Sequence, residues 1–185
     1  VVLRNLTFAS SDRRIPGLAI HSLTNGTLSA MGVTFSCKTM GFCTGLQIYE
    51  ARFSEIILRS SVFVTTNLGS TSNFAYDANM AIVINAARFV CAHFQGINVT
   101  SSPTWFEVSA LLWSPMMQDS VITADMLSVP MMNVFIFDRV LRTSVHVTRT
   151  HLFLKLPARW LWLQRDATAF DGFNFTVDAS MIVSL

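Results

Sequence analysis

With 185 residues the chain is long enough for one domain with a sizeable core, and 51% of its residues are hydrophobic while 13% are charged. Average soluble domains carry about 25% charged residues. The net charge of +2 supplies no basic stripe for nucleic acid. The apolar peak at residues 126–137 is 12 residues long and contains a proline, whereas a membrane-spanning helix needs about 20 apolar residues. Composition therefore argues against nucleic-acid binding and against a transmembrane helix.

Seven short segments, taken in chain order, share one pattern: an apolar residue, any residue, a second apolar or Thr residue, and then usually a small or hydroxyl residue. They are residues 6–9, 33–36, 62–65, 97–100, 121–124, 145–148 and 175–178. Their third positions lie 27, 29, 35, 24, 24 and 30 residues apart. Repetition at this interval is typical of a solenoid, in which each repeat forms one coil of the chain.

Pairs of apolar residues separated by one position form a second series in phase with the first. The pairs are Leu18/Ile20, Leu46/Ile48, Ile82/Ile84, Phe106/Val108, Val134/Ile136 and Leu161/Leu163. Such alternation is typical of a strand with one buried face. We therefore predict one inward column of side chains, formed by Ile20, Ile48, Ile84, Val108, Ile136 and Leu163.

Two recurring strands and a further apolar position per repeat predict an all-β fold, a single-stranded parallel β-helix of about six to seven rungs, where a rung is one coil. We expect residues 1–185 to form one β-solenoid domain, with a long corner loop at residues 67–79. Both ends of the chain fall on predicted strands without a polar cap, and an exposed terminal rung invites aggregation. We therefore expect further rungs of the same chain at both ends, so that this chain is a fragment of a longer solenoid.

Short paired strands that repeat at this interval resemble the right-handed parallel β-helix proteins of the pectate-lyase-like superfamily, over nearly the whole chain. Galacturonan hydrolases of that superfamily carry Asp-Asp, Asn-x-Asp, Gly-His-Gly and Arg-x-Lys motifs, and none of these strings occurs here. The Phe-rich, Gly-poor repeats with their glycosylation sequons are also similar to repetitive surface glycoproteins of protozoan parasites, including the trypanosome dispersed gene family. The resemblance implies a right-handed β-helix without the pectin-degrading site.

Four N-glycosylation sequons and a pair of cysteines indicate an extracellular or cell-surface protein. The sequons begin at Asn5, Asn25, Asn98 and Asn174. Cys37 and Cys43 flank a short corner loop, and a disulfide between them is expected in an oxidising compartment. Cys91 lies at a mid-rung apolar position, where we expect a buried core thiol.

Asp138 and Asp166 on neighbouring predicted rungs are weak candidates for catalysis. A glycosidase needs two carboxylates roughly 5–10 Å apart, but Arg139 and Arg165 beside these residues favour a solvated cluster of salt-linked charges. The four histidines fall at different phases of the repeat, and no Cys or His spacing indicates zinc. We therefore expect no metal, no cofactor and no catalysis. The alternative is a polysaccharide-active β-helix enzyme, either a lyase or a glycoside hydrolase.

Aromatic residues at predicted outward positions form the strongest candidate for a binding site. On the last three rungs these residues are Trp105, Phe135, Trp160 and Trp162. Exposed aromatic patches mark binding sites, so we predict that a glycan or a protein partner binds this face. Its burial under a neighbouring domain is the alternative. Phe74 and Tyr76 in the 67–79 loop are a second candidate. The sequence therefore predicts a non-catalytic segment that is structural or presents a ligand for adhesion.

Overall fold

A computed structural model of the chain describes residues 1–12, 15–39, 43–67, 79–101, 110–129, 133–154, 159–163 and 170–184. Over these residues the regular structure is made of β-strands, and no helix occurs. The abundance of Val, Ile, Thr and Phe favours strands, because branched and aromatic side chains pack well on a pleated surface. The predicted all-β class is confirmed.

The first half of the chain contains β1 (Val2–Arg4), β2 (Thr7–Ser10), β3 (Leu18–Thr24), β4 (Thr27–Met31), β5 (Thr34–Thr39), β6 (Cys43–Arg59), β7 (Val62–Asn67), β8 (Asn79–Gln95) and β9 (Asn98–Ser101). The second half contains β10 (Ala110–Ser114), β11 (Met116–Gln118), β12 (Val121–Asp125), β13 (Ser128–Val129), β14 (Asn133–Phe137), β15 (Val140–Leu141), β16 (Ser144–Thr148), β17 (His151–Leu154), β18 (Arg159–Leu163), β19 (Phe170–Asp171), β20 (Asn174–Asp178) and β21 (Met181–Ser184).

The strands form two parallel sheets. The first has 14 strands around the path β1-β4-β6-β8-β10-β14-β18, and the second has seven in the order β2-β5-β7-β9-β13-β17-β21. Paired strands are one full repeat apart in the chain: Thr34 pairs with Val62, and Cys43 pairs with Asn79. A tight hairpin cannot connect parallel strands, so each strand pairs with its counterpart in the next repeat.

Residues that pair in register through successive strands form columns, and the inward columns build the core. In the second sheet one column reads Phe8, Phe35, Phe63, Val99 and Val129. The ring centroid of Phe35 lies 5.9 Å from that of Phe8 and 4.8 Å from that of Phe63. In the first sheet the facing column reads Leu28, Ile56, Ala92, Ile122, Val145 and Phe175. Both columns contribute to one hydrophobic cluster.

Two further columns consist of residues with positive φ and mark two corners of the repeat. The first column reads Asn25, Phe53, Phe89, Asp119, Arg142 and Gly172, and the second reads Asn5, Gly32, Ser60, Gly96, Met126, Arg149 and Ala179. Their φ values lie between 44° and 64°. Residues other than Gly and Asn adopt this backbone conformation rarely. Its recurrence in register shows that the chain bends at the same two places in each described repeat.

Buried hydroxyl groups next to these corners satisfy backbone groups that the bend removes from water. Ser120 Oγ donates to the Gln118 carbonyl oxygen at 2.7 Å and accepts from the Val90 amide at 3.1 Å. Thr143 Oγ1 donates to the Leu141 carbonyl oxygen at 2.9 Å and accepts from the Ser120 amide at 3.4 Å. These hydroxyls pair backbone groups of neighbouring repeats, which would be costly to bury unpaired. They therefore link one repeat to the next.

The predicted inward column is correct only in part. Ile20, Ile48 and Ile84 pair in register. The column continues through Ser114, Phe137 and Leu163, so the position assigned to Ile136 belongs to Phe137. Val108 lies outside the described residues. A shift of one residue exchanges the two faces of a strand.

The structure also divides the predicted series of seven segments between the two sheets. The first four segments, up to residue 100, coincide with strands of the second sheet, whereas residues 121–124, 145–148 and 175–178 belong to β12, β16 and β20 of the first sheet. The prediction that all seven lie at one phase is therefore wrong. Both kinds of strand alternate apolar with hydroxyl residues, so the pattern does not distinguish them.

The cysteines divide into a bonded pair and an exposed thiol. The disulfide expected between Cys37 and Cys43 is present, with the two Cα atoms 5.7 Å apart. Cys91 is exposed, which overturns the prediction of a buried core thiol. It pairs with Glu55 and Val121 on the outward side of β8, while the next residue, Ala92, is completely buried.

Candidate binding surface

The structure describes few of the side chains that the sequence predicts for binding. Trp105, Phe74, Tyr76 and Asp166 lie outside the described residues. Trp160 and Trp162 belong to β18, but their side chains are also outside the described part of the structure.

Phe135 was predicted to lie on the outward face, and the structure shows that it does not. Its side chain is 0% exposed and belongs to the main hydrophobic cluster. The one-residue shift in β14 is the cause, because it turns Phe135 and Phe137 into the core. Phe135 is therefore not a binding residue.

The register of β10 brings a different aromatic residue, Trp113, to the predicted face. Trp113 pairs with Val83 and with Ile136, in the column that continues to Trp162. The indole Nε1 of Trp113 donates to Asp138 Oδ1 at 3.3 Å. Val83 and Ile136 are buried on this side of the sheet, in a small apolar cluster against which Trp113 packs. Trp113 was not predicted, because the apolar pair Phe106/Val108 placed the strand at residues 106–108.

The exposed part of the same face carries His21, Gln47, Tyr49 and Asn85. The rings of His21 and Tyr49 stack with centroids 5.0 Å apart and an interplanar angle of 11°. Gln47 Nε2 donates to Asn85 Oδ1 at 3.2 Å. Gln47 and Tyr49 are two residues apart on β6, so both project from one side of the strand. Asn85 follows Ile84, the partner of Ile48, and thus lies beside Tyr49.

We call these four residues the outer aromatic-amide cluster. Tyr49 is 39% exposed, and the stacked rings of His21 and Tyr49 bring aromatic surface to this part of the face. The amides of Gln47 and Asn85 provide both hydrogen-bond donors and acceptors. A pyranose ring has an apolar face of C–H groups and a rim of hydroxyls, so its chemistry matches this combination.

Two of the described carboxylates, those of Asp119 and Asp125, form ion pairs with arginines one repeat further along the chain. Arg142 donates to both carboxylate oxygens of Asp119, at 2.5 and 2.8 Å. Arg149 likewise donates to Asp125, with Nε at 2.8 Å from Oδ1. The hydrogen bonds from the arginines hold the pKa of Asp119 and that of Asp125 below the ordinary value. A lowered pKa keeps these carboxyl groups ionised, which is unfavourable for a general acid.

The histidines do not all fall at different phases, contrary to the sequence analysis. His93 and His146 belong to one outward column with Thr123 between them. His93 Nδ1 lies 2.7 Å from Thr123 Oγ1, and His146 Nδ1 is bonded in the same way to Thr176. In the described part of the chain, no group of three or more His, Cys, Asp or Glu side chains could hold a metal ion.

The four sequon asparagines are all exposed, in two different settings. Asn98 and Asn174 lie in strands β9 and β20. Asn5 and Asn25 lie at the corners with positive φ, at 51° and 50°.

Two exposed phenylalanines at the first corner were missed by the sequence analysis. Phe53 and Phe89 are 58% and 48% exposed. Their ring centroids are 4.8 Å apart and their planes differ by 5°. Each follows an arginine, Arg52 or Arg88, in a stretch that departs from simple alternation. This departure from alternation was the feature of the sequence that could have indicated the two exposed rings.

Comparisons of the chain with protein-family models, curated proteins and solved structures find no match. Within the described residues, no helix has the length and apolar character required to cross a membrane.

Proposed function

We propose that this chain is a segment of a right-handed parallel β-helix, of the pectate-lyase-like kind, that presents a ligand-binding surface and performs no catalysis. Support for the coiled architecture comes from the uniformly parallel pairing of the described strands and from the two columns of left-handed residues. In a β-helix every rung turns at equivalent corners, so such columns are expected.

We further propose that the segment belongs to a secreted or cell-surface protein. The disulfide between Cys37 and Cys43 supports this location, because disulfides persist in oxidising compartments. The four exposed sequon asparagines agree with it.

The ligand that fits the outer aromatic-amide cluster best is a glycan. The observation that carries this proposal is the stack of His21 on Tyr49, beside the hydrogen-bonded amides of Gln47 and Asn85. A sugar ring that packs on Tyr49 buries apolar area of the sugar and of the tyrosine ring. The amides of Gln47 and Asn85 then fix the orientation of the sugar through hydrogen bonds to its hydroxyls. Sugar binding by these side chains requires stacking and hydrogen bonds, and it does not require a catalytic residue.

Binding to immobilised glycans tests the proposal. Tyr49→Ala should weaken binding by about 5- to 30-fold, since the lost ring contact contributes on the order of 1–2 kcal/mol. Tyr49→Phe should retain most of the affinity because the ring remains. Val121→Ala removes another side chain that is 39% exposed and serves as the matched control.

Equal binding by the wild type and Tyr49→Ala would exclude the cluster as the glycan site. Cleavage of a bound polysaccharide by the wild type, lost in the Asp138→Asn, Asp166→Asn double variant, would overturn the non-catalytic proposal.

A further inference from the structure

The stacked pair Phe53 and Phe89 is an unusual feature at the first corner. Both residues have positive φ, at 48° and 54°, as do the other members of this corner column. Both rings also expose apolar surface to water. At this corner the two rings therefore offer exposed apolar surface on which a further group can pack.

The residue next to Phe53 in the same column is Asn25, the first residue of a sequon. The Asn25 amide donates to the Arg52 carbonyl oxygen at 3.0 Å, and the Glu55 amide donates to the Gly26 carbonyl oxygen at 3.0 Å. These two bonds place Asn25 directly beside Phe53, about one strand spacing of 4.8 Å away. Asn25 has φ of 50°, so its side chain leaves the same corner as the two rings.

We propose that Asn25 carries an N-linked glycan and that its first N-acetylglucosamine packs on the ring of Phe53. Oligosaccharyl transfer forms the bond between Asn25 Nδ2 and C1 of the sugar. It breaks the bond between C1 and the phosphate oxygen of a lipid diphosphate-linked donor, and the amide releases one proton. The apolar C–H face of the sugar then covers the open face of Phe53, and Phe89 supports Phe53 from the other side.

The other three sequons lack this arrangement. The carboxamide of Asn5 lies over Gly32, since a Cβ built on Gly32 would be 2.5 Å from Asn5 Oδ1. Asn98 pairs with Val62 and Ser128, and Asn174 pairs with Ser144. In the described register, Asn25 is thus the sequon asparagine with an exposed aromatic ring beside it.

The inference rests on the proposed secretory location, and its test separates the two. The whole chain is produced in cells that attach N-linked glycans, and site occupancy is measured by mass spectrometry. We expect Asn25 to be occupied. If Asn5, Asn98 or Asn174 carries a glycan while Asn25 does not, the inference is wrong and the secretory location stands. If no sequon is occupied, both fail.

A double-mutant cycle on Tm tests the packing. Thr27→Ala removes the sequon and keeps Asn25 at its positive φ. Phe53→Ala should lower Tm by about 2–4 °C more in the glycosylated chain than in the Thr27→Ala background, the shift expected for one aromatic contact in a domain of this size. Equal shifts in the two backgrounds would show that the glycan does not touch Phe53. In the control cycle, Thr100→Ala removes the Asn98 sequon. Phe53→Ala should then lower Tm equally with and without Thr100→Ala.

Discussion

Replacement of Phe63 with alanine should lower the free energy of unfolding by about 3–5 kcal/mol, the range for a fully buried aromatic side chain. Phe63 is 0% exposed, and its ring stacks on Phe35 at 4.8 Å. Its removal would leave a cavity between the two sheets that neighbouring repeats cannot fill. Urea denaturation followed by circular dichroism measures the loss.

Phe53→Ala in unglycosylated protein is the matched control, because it removes the same side chain from an exposed stack. Its cost should stay below about 1.5 kcal/mol, the upper range for one aromatic pair. Similar losses for Phe53→Ala and Phe63→Ala would contradict the assignment of inward and outward faces.

Gly45→Ala should destabilise the fold by about 1–3 kcal/mol, as overpacked cores do. A Cβ at Gly45 would lie 2.7 Å from Phe63 Cδ1 and 2.9 Å from the Ala81 carbonyl oxygen. The carbonyl belongs to the adjacent strand and cannot move without breaking the register of β6 on β8. Thermal unfolding monitors the effect.

Gly26→Ala provides the comparison for this substitution. A Cβ there would meet its nearest atoms at 3.6 and 3.7 Å, which are ordinary contacts. Its stability should change by less than about 1 kcal/mol. If Gly45→Ala were tolerated equally well, the close approach of the two sheets at Gly45 would be wrong.

The sequence predicted the strand class and part of the register because core residues recur at matched intervals. Ile20, Ile48 and Ile84 were aligned correctly. The register was lost after residue 100. Ser114 takes the inward position that was assigned to Val108, and a hydroxyl residue in the core gives no hydrophobic signal.

An error of one residue accounts for the wrong placement of Phe135 and of Cys91. In β14 all five residues are buried, so alternation cannot tell which face is inward, and Phe135 was placed on the wrong side. Cys91 and Ala92 present the same ambiguity. Because the side-chain period of a strand is two, a slip of one position reverses every assignment in that strand.

The candidate site was largely missed because it depends on neighbours across strands. His21, Tyr49 and Asn85 are far apart in the chain, and only the register brings them together. The same holds for Asn25 and Phe53. A sequon and an exposed phenylalanine are each unremarkable alone, and their adjacency follows from the fold.

Distances between spin labels along one outward column test the proposed β-helix most directly. Ser29, Ile57, His93, Thr123, His146 and Thr176 form that column. In a Cys91→Ser background, labels at Ser29 and His146 are four strand spacings apart, and labels at Ser29 and Thr176 are five. At about 4.8 Å per strand we expect separations of about 19 and 24 Å, before the reach of the labels is added. A distance from Ser29 to Thr176 that is equal to or shorter than that to His146 would contradict a coil whose rungs stack in chain order.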